Sequence, residues 1–127
     1  GIISFRPFGG DTVLLKELKS KSFIMYKHTD MTGIHAIAVG VGQGDGRNKF
    51  AGGRIEVRLD APNGALLGKT DIKAKNTTRM EFAEISVPIT HVSDGKFHDL
   101  YLVFKNEMMT AEPITALDWV RFDMMVN

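Results

Sequence analysis

The chain has 127 residues, no cysteine, and 16 lysines and arginines against 15 aspartates and glutamates, for a net charge of +1. That length predicts one domain, residues 1–127, large enough to bury a core without cross-links. The balanced charge removes any long-range pull toward nucleic acid, and no apolar run approaches the roughly 18 residues of a membrane-spanning helix.

In chain order, period-two patterns predict strands at Val13–Leu18, Ser22–Tyr26, Ile34–Val41, Arg54–Asp60, Leu66–Ile72, Met80–Val87, His98–Lys105 and Leu117–Met124. The first, inside "TVLLKELKSK", briefly mimics a helix and is read as strand or loop. In the third, Ile34, Ala36, Ala38 and Gly40 share a face of mostly small residues, which suits close packing or the floor of a shallow groove. In the fourth, Ile55, Val57 and Leu59 oppose Arg54, Glu56, Arg58 and Asp60, the signature of a half-buried strand. Ala61-Pro62-Asn63-Gly64 then reads as a type I turn, with Asn and Gly supplying the bridge-region and left-handed conformations that return the chain into a hairpin. His98–Lys105 is apolar on both faces, as a central strand covered on both sides would be. Trp119 and Phe122 point to opposite sides of the last strand, with packing the default for each. The architecture predicted is all-β, a sandwich of two antiparallel sheets.

Several chemistries fail on spacing. The glycine-rich stretch "GVGQGDGRNKFAGG", residues 40–53, matches neither dinucleotide nor P-loop patterns, and no helix follows it. His28 and His35, and His91 and His98, are each seven apart, which is not a ready-made zinc spacing. No cysteine, GxSxG or activated serine offers a nucleophile. Glu81, Glu84, Asp99 and Asp118 could supply an acid/base pair only if the fold set two of them face to face. The chain opens on Gly1 without a signal-peptide layout, so it is expected to be a processed or trimmed piece with a targeting segment, and further domains, upstream.

Three blocks occur in order: "GGRIEVRLDAPNGALLGKTDI", "AEISVPITHVSDGKFHDLYLVFK" and "LDWVRF". With "SFIMYKHTDMTGIHAIAVGVG" before them, they closely resemble the family 6 carbohydrate-binding modules from about Ser22 to Phe122. The resemblance implies a jelly-roll-like β-sandwich that is not an enzyme, bound to polysaccharide or oligosaccharide. It also implies a secreted, periplasmic or cell-surface location, other domains of a glycoside hydrolase as neighbours, and neither nucleic acid nor membrane insertion. Aligned with the family, Arg79 takes the place of a tryptophan, Phe82 a second aromatic place, Ala116 that of an asparagine, and Glu17 that of the tyrosine opposing the tryptophan. The sugar site is therefore expected at the loop end near Glu17, Arg79 and Thr115, with a concave sheet face as the other candidate. The family's structural calcium would use Asp118, although residues 1–21 lack the acidic pair that normally completes it, and Asp118 could cap a turn instead. A structural or protein-interaction sandwich that has lost its sugar cleft is the alternative.

Overall fold

The computed structural model describes residues 12–43, 50–73, 81–108 and 114–124, with the side chains of residues 12–18, 43, 81 and 82 outside that description. Eight strands are present there: β1 Thr12–Leu18, β2 Phe23–Asp30, β3 Ile34–Gln43, β4 Gly53–Leu59, β5 Ala65–Ile72, β6 Glu81–Pro88, β7 Phe97–Lys105 and β8 Thr115–Met124. They form two four-stranded sheets, β1-β8-β3-β6 and β2-β7-β4-β5, and every pairing is antiparallel. The expected all-β sandwich is therefore the fold of this chain.

The sheets close on one another because the strands whose side chains are described turn alternate apolar side chains inward. Ile37, Val39, Leu117, Val120 and Phe122 from one sheet meet Ile24, Ile55, Val57, Leu100, Leu102 and Phe104 from the other in a single buried cluster. Tyr26 of β2 and Phe122 of β8 meet across it edge to face, with ring centroids 4.9 Å apart. The β7 strand lies between β2 and β4. Its outward Tyr101 and Val103 are also buried, against Phe23 and Met25, so both faces are covered as its sequence predicts.

Three local features depart from the sequence reading, each for a backbone reason. Strand β2 runs four residues beyond Tyr26, because its pairing with β7 shifts register between Tyr26 and Thr29 and then resumes. His28, with φ +54°, sits in that bulge, which hides the strand behind the polar run "KHTD". The turn after β4 has the expected hydrogen bond from the Gly64 N–H to the Ala61 carbonyl, 3.0 Å, but its left-handed residue is Asp60, φ +68°, one position ahead of the turn. Gly64 is needed for space: a Cβ there would stand 1.9 Å from the Leu59 carbonyl oxygen. Trp119, outside the inter-sheet core, lies on the outer face of its sheet over Gly40, where a Cβ would come within 2.2 Å of the indole Nε1. The small face of β3 is thus a packing surface for an aromatic ring.

Candidate functional site

Antiparallel order sends the connections to two ends of the sandwich. One end gathers residues 19–22, 50–52, 73, 106–108 and 114; the other gathers 31–33, 60–64 and 89–96. The first end holds the expected site residues. Leu18 pairs with Thr115 there, which places the backbone of Glu17 beside the start of β8. The Glu17 side chain lies outside the described residues, as does all of Arg79, in the connection from β5 to β6. Thr115 is fully buried, and its hydroxyl donates to the Gly42 carbonyl at 2.8 Å, so what it orients is the end of β3.

Gly42 in turn lines a groove of about 400 Å³. The groove opens where β5, an edge of one sheet, and β6, an edge of the other, diverge toward this end. Farther down the two strands touch. The Thr90 N–H donates to the Leu67 carbonyl at 2.9 Å, and a Cβ on Gly68 would meet the Pro88 carbonyl oxygen at 2.1 Å. At the groove itself, the Thr70 hydroxyl reaches the Ser86 carbonyl at 3.3 Å. Val41, Ile72, Ala83 and Ile85 give the groove apolar surface, while Thr70, Asp71, Lys73, Glu84 and Ser86 give it polar groups of both signs. An elongated cleft with an apolar floor and a few fixed donors and acceptors suits a ligand that has both C–H faces and hydroxyls. Sequence reasoning did not find these residues, since none stands in a motif and they meet only when two non-paired strand edges approach.

The outer faces carry charge networks. Glu56, buried beneath solvent on the outside of the second sheet, receives Arg54 Nε at 2.7 Å, Arg58 Nε at 2.8 Å and Lys105 Nζ at 3.1 Å. Burial works to raise its pKa, yet the three cationic hydrogen bonds prevail and hold the carboxyl at about 2. On the first sheet, the Arg121 guanidinium lies 5.3 Å above the Trp119 ring and pairs with Glu84 and Asp123 at 3.1 and 2.6 Å.

Of the carboxylates weighed as an acid/base pair, the Glu81 side chain lies outside the described residues. Glu84 is bound to Arg121, and Asp99 accepts the His28 N–H at 3.1 Å at the opposite end of the sandwich. Asp118 is the additional residue of a β8 bulge between Leu117 and Trp119, the partners of Val41 and Gly40. Among the described residues no group of three or more histidines and carboxylates could hold a metal ion. These residues alone therefore do not fit a calcium, which would need several oxygen ligands around Asp118.

Among known sequences, the family described as carbohydrate binding module (family 6) matches residues 15–124. No curated protein matches the chain. Its fold is similar to part of a glycoside hydrolase family 43 arabinoxylan arabinofuranohydrolase from Bacillus subtilis in complex with cellotetraose, with TM-score 0.69, 16% identity, and 98% of this chain but 28% of that chain covered. It is similar over nearly full lengths to CsCBM6-3 from Clostridium stercorarium in complex with cellobiose, with TM-score 0.64, 19% identity, and 98% of each chain covered. A family 6 module from Clostridium cellulolyticum in complex with xylose matches with TM-score 0.58 and 24% identity, over 91% of this chain and 88% of that one.

Proposed function

The chain belongs to carbohydrate-binding module family 6, and on that premise we propose that it is a non-catalytic module that binds poly- or oligosaccharide in the groove between β5 and β6. The observation that carries this reading is the groove itself, about 400 Å³ with apolar and polar surfaces side by side. Sugars offer apolar C–H faces together with hydroxyls that need a few fixed partners. Similar folds have been solved with cellobiose and xylose, which favours a neutral β-linked glycan as ligand. In this proposal Asp71, Lys73 and Glu84 meet hydroxyls. Thr115 acts behind them, as a positioning residue that fixes Gly42 through its 2.8 Å hydrogen bond. Arg79, from the adjoining connection, is assigned to the same end together with Glu17.

This chain spans 28% of the length of the arabinofuranohydrolase. We assign this chain the role of accessory domain in an exported glycoside hydrolase or other sugar-active protein. No helix among the described residues is long and apolar enough to cross a membrane. Calorimetric titration with cellotetraose and xylotetraose tests the site. Binding should weaken by about tenfold in both Asp71→Ala and Arg79→Ala, as expected for loss of a polar contact worth about 1.4 kcal/mol. Unchanged affinity in both variants would remove the groove assignment.

A further inference from the structure

The outer face of the first sheet carries a side-chain network that reaches the rim of the groove. Ile37, Val39 and Val41 of β3 turn into the core, so by alternation Ala38 and Gly40 face outward. Gly40 stands opposite Glu84 of β6 on one side and Trp119 of β8 on the other, and Ala38 stands opposite Ser86 and Arg121. Two strand spacings, about 10 Å, separate β8 from β6. Between them β3 raises only a methyl group and a hydrogen, and the Arg121 side chain crosses that low strand to place Nη1 3.1 Å from Glu84 Oε1. Its course is fixed on the way. Trp119 lies over Gly40 and sets its ring 5.3 Å from the guanidinium carbon, a cation–π distance. The Asp123 carboxylate accepts Arg121 Nε at 2.6 Å and Nη2 at 3.4 Å.

Resting on the groove reading above, we propose that Arg121 is a positioning residue for carbohydrate binding. From outside the groove it holds Glu84 on the rim, with one carboxylate oxygen engaged and the other, Oε2, presented to a sugar hydroxyl. Glu84 lines the groove, and Arg121, Trp119 and Asp123 stand outside it. Glu84 belongs to an edge strand, and its side chain is 53% exposed. Left to itself, such a side chain samples several rotamers and must be ordered when a ligand binds. An exposed ion pair contributes little to the stability of a fold, so the consequence of this one lies in preorganisation. A planar guanidinium already held by a ring and a carboxylate orders Glu84 before the ligand arrives. Lysine could not do the same, since one ammonium group cannot fork to Asp123 while reaching Glu84. The small face of β3 therefore serves the groove indirectly, as the trough through which Arg121 reaches its rim.

The test is a double-mutant cycle between Arg121→Ala and Glu84→Ala, read by calorimetric titration with cellotetraose and xylotetraose, with Asp71→Ala as the measure of the groove alone. Arg121→Ala should weaken binding about fivefold, the cost of ordering one long side chain in the complex, and lower the melting temperature by no more than about 4 °C. Glu84→Ala should weaken it about tenfold, and adding Arg121→Ala to that variant should change nothing further. Arg121→Lys should bind no better than Arg121→Ala. Asp123→Ala, which loosens the guanidinium without touching the groove, should weaken binding in the same direction and lose its effect in the Glu84→Ala background. Losses that simply add in the double variant would overturn the positioning role and leave the groove intact. So would full affinity in both Arg121→Ala and Asp123→Ala beside weakened Asp71→Ala and Glu84→Ala. Full affinity in every variant, Asp71→Ala included, or no binding by the wild-type chain, would overturn both.

Discussion

At the residue scale, charged side chains on the sheet surfaces are fixed by specific partners, and two of them lead to predictions about pH. Glu56 is the common acceptor of Arg54, Arg58 and Lys105, with a folded-state pKa held at about 2. A carboxyl depressed in the folded state contributes stability above its unfolded value and loses it as pH falls through the folded one. Glu56→Gln should therefore destabilise the protein by about 2 to 4 kcal/mol at neutral pH. The urea midpoints of variant and wild type should converge as pH falls from 5 toward 2. His98 behaves oppositely. Hydrogen bonds from its ring to Asp60 and Asp94 raise its pKa, so its contribution is present below the ordinary histidine value and is lost as pH rises through the raised one. The stability difference between wild type and His98→Ala should be largest near pH 5 and shrink above neutrality. A difference independent of pH would remove the ion-pair account. Neither partnership could be read from the sequence. Asp60 meets His98 only after the β4–β5 connection comes against the base of β7, and Arg54, Glu56 and Arg58 look there like an ordinary solvated face.

At the scale of elements, the strands were legible because their apolar residues alternate, and they alternate because one side of each sheet is buried. The pattern in "RIEVRL" therefore located β4, and the doubly apolar "LYLVF" located β7 as a central strand. Where a bulge breaks the alternation, as at His28, the sequence ended β2 too early. Sheet order was beyond reach, since the neighbours β1 and β8, or β2 and β7, are distant in the chain and nothing local encodes their register. The small face of β3 was read as a packing surface or a groove floor, and Gly40 shows the physical reason for the first. With Trp119 Nε1 2.2 Å from where a Cβ would stand, Gly40→Ala should displace the indole at a cost of about 1 to 3 kcal/mol. A lowered melting temperature and a shifted tryptophan emission would record it. Phe104, fully buried between the sheets, should cost about 3 to 5 kcal/mol on truncation to Ala.

At the scale of the whole molecule, two antiparallel sheets set their edge strands β5 and β6 beside one another, and the groove lies between them. The order of the sequence blocks made the family recognisable. The residues of the groove itself stayed hidden, because β5 and β6 belong to different sheets and meet without a shared motif. Asp118 illustrates the same limit. Its match to a family position suggested a calcium ligand, whereas among the described residues no group of three or more histidines and carboxylates gathers to hold a metal ion.

The central claim is that this module holds carbohydrate, and a glycan-array screen of the chain, with calcium and with chelator, tests it most directly. The account predicts a signal on neutral β-linked glucan or xylan oligosaccharides, diminished in Asp71→Ala. A blank across neutral and acidic polysaccharides would contradict it.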